Sequence, residues 1–141
     1  MNVMTPKFGM GASVLRKEDR AFITGKGRYT DDIAAEGVLH GYVLRSPVAA
    51  GRFTISSVEA AKSAPGVHLV LTGADLAHLG DLKTGVMLPQ PDGSKPDTHG
   101  IPILCRDHVA HVGDAVAFIV ADSRTLAQDA AELIEIEYEP A

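Results

Sequence analysis

The sequence predicts an α+β fold: a small mixed sheet, two main helices and an extended N-terminal arm. Three observations within residues 114–138 predict it. Ala115 to Ala121 is an unbroken apolar run, short enough for a strand buried on both faces. Asp122 or Ser123 can then cap a helix whose Leu126, Ala127, Ala130 and Ala131 share one face. From residue 134 the period changes from 3.6 to 2, with Ile134, Ile136 and Tyr138 on one side and Glu135, Glu137 and Glu139 on the other. The stretch therefore reads as a β-α-β unit with one face in water. Phe118, the bulkiest residue of the first run, is expected in the core, where Phe118→Ala would cost about 3–5 kcal/mol.

The flanking chain is read in the same way. Residues 1–36 hold four glycines and many charges, with Phe22 and Ile23 among a few isolated apolar anchors. They read as an extended arm, with Arg16–Arg20 as a turn, that must borrow burial from other protein. Residues 37–141 form the folded domain. A strand over 37–45 ends at Ser46-Pro47, because proline donates no ladder bond and disfavours helix before it. A second strand over 52–58 shows Phe53, Ile55 and Ser57 to one side. A short helix over 58–63, capped by Ser56 or Ser57, stops at Pro65-Gly66. A third strand over 67–71 has apolar residues at 67, 69 and 71, followed by a helical turn in Ala74–Leu79. Residues 80–100 carry four Gly and three Pro without period and read as a mobile loop, with Val86, Met87 and Leu88 as an apolar knot that could dock onto a neighbour. Residues 101–104 and 109–112 are short extended pieces.

Composition narrows the class. The chain has 141 residues, 45% of them hydrophobic and 22% charged, which suits one ordinary globular domain. The net charge of −5 argues against a nucleic-acid binder. It is unevenly spread, residues 1–52 being net +3 and residues 53–141 net −8. The single cysteine, Cys105, excludes an internal disulfide and points to a reducing, cytoplasmic compartment. The first residues show no apolar signal-peptide core, and no window is apolar enough to span a membrane.

Chemistry-bearing residues are few. Cys105, His108 and His111 are types that zinc accepts, but no fourth ligand stands at a familiar spacing. They read as a buried thiol and two surface or half-buried imidazoles. Gly9-Met-Gly11 and Gly25-Lys-Gly27 lack the strand, helix and third glycine of a dinucleotide fingerprint and read as tight turns. Asp31 and Asp32 are neighbours whose side chains point apart in an extended chain; Asp32 suits a turn, bonding backbone N–H groups. The glutamate row at 135, 137 and 139 is the wet face of a strand. Ser46, His40 and Asp32 are not expected to make a triad. No catalytic, cofactor-binding or metal-binding residue is assigned.

Several motifs nonetheless form a pattern: Arg16-x-Glu18-Asp19, Gly25-x-Gly27-x-Tyr29-x-Asp31-Asp32, Arg45-Ser46-Pro47, Pro65-Gly66-Val67, Val112-Gly113-Asp114 and Ala127-x-Asp129-Ala130-Ala131-Glu132. Together they resemble the start of the molybdenum-binding large subunit in the xanthine dehydrogenase, aldehyde oxidase and carbon monoxide dehydrogenase family. The resemblance covers nearly all of the chain except 80–100. It implies the α/β-hammerhead fold. It also implies an oxidoreductase that hydroxylates an aldehyde, an N-heterocycle or a similar small molecule, or oxidises CO. Molybdopterin would be held by downstream domains of the subunit, and iron–sulfur clusters and FAD by partner subunits; with one cysteine, this chain cannot ligate such clusters itself.

What the resemblance carries onto this chain is a scaffold role, inactive in isolation. Arg16, Glu18, Asp19, Gly25, Gly27, Tyr29, Asp32, Arg45, Ser46 and Gly113 match the pattern and are expected to shape the arm, the first strand and their contacts. After Pro47 the chain departs from the family's A-H-A-R-I, reading Ala49-Ala50-Gly51-Arg52-Phe53 without the histidine. The pattern at Tyr138–Ala141 stops short of a closing element, so a piece of a longer chain is expected. A free-standing protein-interaction module without catalytic role is the alternative.

Overall fold

The computed structural model describes residues 16–33, 35–83, 85, 88, 90–94 and 100–141. The chain divides into two compact units, with the boundary between Gly37 and Val38.

The first unit is not an extended arm over its described residues. A turn at 17–18 runs into helix α1 (Asp19–Ile23). The glycines of Gly25-Lys-Gly27 then end the helix: Gly25 has φ +68°, open to glycine without strain, and Lys26 and Gly27 donate to the Ala21 carbonyl at 2.8 and 2.9 Å. The chain thus folds on itself because backbone bonds replace the apolar burial it lacks. A 3₁₀ turn, Thr30–Asp32, follows.

The second unit holds β1 (His40–Arg45), β2 (Gly51–Ser57), α2 (Glu59–Lys62), β3 (Val67–Thr72), β4 (Asp81–Leu82), β5 (Ile101–Pro102), β6 (His108–Val109), β7 (Ala115–Ala121), α3 (Arg124–Glu132) and β8 (Glu135–Pro140). The α+β class and most of the predicted elements stand, but of the extended piece expected over 109–112 only Val109 lies in a strand, since the chain bends at His111 and turns at 112–113. Where one small mixed sheet was expected, the strands are divided among sheets β1-β7-β3 and β6-β2-β8 and the ribbon β4-β5, and every described ladder is antiparallel.

This division corrects the β-α-β reading. The elements occur in that order, but β7 and β8 lie in different sheets. Both edges of β7 are taken by β1 and β3, so the strand leaving α3 pairs with β2 instead. Ser123 caps α3 as anticipated, its Oγ accepting from the Leu126 N–H at 3.2 Å. The face with Ala127, Ala130 and Ala131 is buried against Ala117, Ile119 and Ala121 of β7, together with Ala61, Val70 and Ile134. A second core gathers Phe53, Cys105, Val109 and Val116. Small alanines on both α3 and β7 let the helix sit close to the sheet.

Two burial expectations are corrected. Phe118 lies outside both buried clusters, partly exposed, with its ring over Gly41. Period 2 gives the α3 side of β7 to residues 117, 119 and 121, so 118 faces away. In β3 the ladder slips between Val67 and Leu69, a bulge that turns Val70 inward and leaves Leu69 exposed. The helix after β2 begins at Glu59 with Val58 at the cap position, and Ser57 Oγ accepts from the Glu59 N–H at 3.4 Å. In the 80–100 segment the ends are joined by β4 and β5; Val86 and Met87 lie outside the described residues and Leu88 is exposed. No helix among the described residues is long and apolar enough to cross a membrane.

Candidate functional site

The ten motif residues fall into two groups, one in each unit. In the first unit, the Arg16 and Glu18 carbonyls accept from the N–H groups of Asp19 and of Ala21 and Phe22, starting α1. The Arg16 guanidinium lies 4.0 Å from the Asp19 carboxylate, an exposed pair of little energetic weight. Gly27 comes so close to the Phe22 ring that any side chain would displace it. Tyr29 stacks on that ring at 4.9 Å with an 8° tilt. Asp32 Oδ2 accepts from the Tyr29 N–H at 2.8 Å, the turn role predicted for it. The motif residues therefore fold the arm around one stacked aromatic pair.

In the second unit, Arg45, Ser46 and Gly113 meet at one corner. Arg45 Nη1 donates to the Gly113 carbonyl at 2.7 Å. The Gly113 N–H donates to the Ser46 carbonyl at 2.9 Å, and the Ser46 N–H donates to the Asp114 carbonyl at 2.8 Å. Two motifs far apart in sequence are thus stitched together where β1 ends and β7 begins. Gly113 adopts φ +96°, which would strain any other residue. Ser46 is buried, its Oγ accepting from the Val48 N–H at 3.0 Å. That bond holds the turn through Pro47, so this serine is a structural group and His40, exposed on β1, is not its partner.

Asp114 completes the corner. Its carboxylate accepts from the N–H groups of Ala110 (2.6 Å) and His111 (3.1 Å) and lies 2.6 Å from the His111 imidazole. Burial pushes its pKa up, but these backbone and imidazole partners outweigh it and hold it below the ordinary carboxylate value. Sequence reasoning passed over Asp114 except as a motif letter; its position three residues after His111 is the local signal of a side chain bonding back to its own loop.

Metal chemistry finds no donor set here. The Cys105 thiol is buried, and burial, then the Asp114 charge, pushes its pKa up. His108 Nδ1 is 3.1 Å from the Gly51 carbonyl, while His111 is engaged by Asp114. The three side chains thus serve separate purposes, and no group of three ligating residues occurs among the described residues. A hollow of about 470 Å³ is an open groove between β2, the Thr72–Ala74 turn and Arg106-Asp107. Its one arginine is paired with Asp81 at 2.6 Å. These residues do not fit molybdopterin, since the groove offers its anionic groups no unpaired arginine among its described lining residues. Gly25 and Gly27 cap a helix end; Gly9 and Gly11 lie outside the described residues.

Comparison with known proteins places this architecture. Residues 24–141 match the model described as "Aldehyde oxidase and xanthine dehydrogenase, a/b hammerhead domain". The chain belongs to this aldehyde oxidase and xanthine dehydrogenase family. It is 37% identical over 130 residues to the nicotine 6-hydroxylase large subunit of Paenarthrobacter nicotinovorans, covering 92% of this chain and 15% of that protein. It is 37% identical over 139 residues to the carbon monoxide dehydrogenase large chain of Hydrogenophaga pseudoflava, covering 93% and 15%. Among solved structures it is similar to quinoline 2-oxidoreductase from Pseudomonas putida 86, with a TM-score of 0.75 and 43% identity over 92% of this chain and 16% of that one. The hammerhead chain thus spans about 15% of the length of these relatives. At the departure after Pro47, Gly51 pairs with both Val109 and Pro140, and a side chain there would strike the Glu139 carbonyl.

Proposed function

We propose that this chain is the scaffold domain of a molybdopterin-dependent hydroxylase-type large subunit. It carries no catalytic group itself and is inactive alone. The carrying observation is the hammerhead match over residues 24–141, in a chain whose His108, His111 and Asp114 side chains are engaged with neighbouring backbone or with each other and whose Cys105 is buried in a core. The complete enzyme would oxidise an aldehyde, an N-heterocycle, CO or a similar small molecule. Molybdopterin, held downstream, would supply the oxygen-transfer chemistry, and iron–sulfur and FAD subunits would take the electrons. A cytoplasmic assembly suits the one buried thiol. The ten motif residues would act by shape: the Phe22–Tyr29 stack and the Arg45–Ser46–Gly113 corner set surfaces against which other domains close.

The test has two arms. The reading frame beyond residue 141 should encode molybdopterin-binding domains, with iron–sulfur and flavin subunits encoded nearby. The purified 141-residue chain should show no molybdenum by mass spectrometry and no turnover of aldehyde or purine with a dye acceptor. Turnover by the pure chain refutes the proposal; a stop codon without such neighbours makes it an interaction module instead.

A further inference from the structure

The ribbon β4-β5 has two chemically different faces. Leu82 pairs with Ile101 and Asp81 pairs with Pro102 in its antiparallel register. Partners directly opposite lie on the same face, so Leu82 and Ile101 are together on one side and Asp81 is on the other. The Asp81 side is tied down: its carboxylate meets Arg106 at 2.6 Å, and the next residue back, Cys105, donates from its N–H to Ala115 of β7 at 2.7 Å. Gly100 also packs on the Asp81 side chain, where an added Cβ would lie 2.5 Å from the Asp81 Cβ. The Leu82 side is open. Leu82 is 63% exposed and Ile101 66%, and their sequence neighbours Leu79 and Ile103 are 60% and 44% exposed.

Such a ribbon is unusual as a free surface. Strands of two residues do not hold together by themselves in water. Here the Arg106–Asp81 pair and the Gly100–Asp81 contact lie on one side of the ribbon, while Leu82 and Ile101 on the other side are exposed. Adjacent exposed apolar side chains on a fixed support mark a contact for other protein.

We propose that the Leu82–Ile101 face of the ribbon is the docking surface through which this domain packs onto the downstream part of its own polypeptide. The inference rests on the large-subunit reading above. The relatives carry this region as about 15% of one chain, so the partner surface is covalently tethered. Tethering presents it at an effective concentration on the order of millimolar, against which a second copy or a separate subunit competes poorly.

The experiment is thiol labelling of the complete large subunit. Leu82→Cys and Ile101→Cys are introduced singly, and maleimide labelling is timed in that subunit alone and in the 141-residue chain; the native Cys105 is buried. In the chain both cysteines should label fast. In the complete subunit they should label at least about tenfold more slowly, since reaction awaits local opening of the contact. Equal rates in the two proteins overturn the proposal. Slow labelling in the 141-residue chain also overturns it, assigning the face to a second copy if dilution restores the rate and to the chain's own loop if not. Protection that appears only when iron–sulfur or flavin subunits are added overturns it in favour of those subunits. Molybdenum content is measured on the same preparations: protection without molybdenum keeps the docking face and sinks the hydroxylase reading, whereas molybdenum without protection does the reverse. A frame that ends at residue 141 overturns both.

Discussion

Neighbouring residues of β7 should respond very differently to truncation. Ile119 is fully buried against α3, whereas Phe118 is partly exposed over Gly41. Ile119→Ala deletes three carbons, worth about 2.4 kcal/mol at roughly 0.8 kcal/mol per buried methylene. The rigid alanine layer around it, Ala117, Ala121, Ala127 and Ala130, has little side chain with which to fill the hole. A cavity contribution should raise the total to about 3–4 kcal/mol. The Phe118 ring is larger, but part of it already meets water, and Gly41 beneath it offers only backbone. Phe118→Ala should therefore cost only about 1–2 kcal/mol, below the range for a buried aromatic. Against a typical margin of roughly 5–15 kcal/mol, the first change threatens folding and the second does not. Urea unfolding of the 141-residue chain, followed by far-ultraviolet circular dichroism because the sequence has no Trp, measures both. If Phe118→Ala proves as costly as Ile119→Ala, the assignment of faces in β7 is wrong.

Three further outcomes are expected. Ser123→Ala leaves the Leu126 N–H without its Oγ acceptor and should cost about 1 kcal/mol, read as a lower urea midpoint with unchanged slope. Gly73→Ala forces a methyl into the Cys105 carbonyl, backbone that cannot swing aside, and should cost about 1–3 kcal/mol by thermal unfolding although the substitution adds one carbon. Asp114 has a depressed folded pKa, so its stabilisation is complete well above the unfolded value of about 3.9 and is lost as pH falls through the lower folded value. Midpoints measured from pH 6 down to 2 should fall less steeply in Asp114→Asn, which keeps an oxygen acceptor for the Ala110 N–H; an unchanged slope would remove Asp114 from the account.

The local elements were legible because short-range rules set them. Ser123 caps and the alanine face of α3 packs as the spacing of residues 123–131 required, and the alternation from Ile134 to Tyr138 appears in β8 as inside and outside. Asp32 closes its turn, a bond between residues three apart that any reader of turns can anticipate. Over residues 16–33 the arm is folded rather than extended, because hydrophobicity counts do not register the backbone bonds from Lys26 and Gly27 to Ala21 or the Phe22–Tyr29 stack. The candidate site was legible as a set of motif letters, but not as a place. Nothing in Arg45-Ser46 or Val112-Gly113-Asp114 alone says that their backbones exchange hydrogen bonds, or that the Arg45 side chain reaches a carbonyl 68 residues away.

By itself, then, the sequence determined periodicity, caps, stops, charge and the family to which its motifs belong, all carried by residues within a few positions of one another. Tertiary structure alone decided which strand β8 would pair with, because both edges of β7 were already occupied. It alone decided that a bulge would turn Val70 inward and that the Leu82–Ile101 face would be left open to water. Such choices depend on competition among distant segments for the same hydrogen bonds and the same buried volume, which local spacing does not encode.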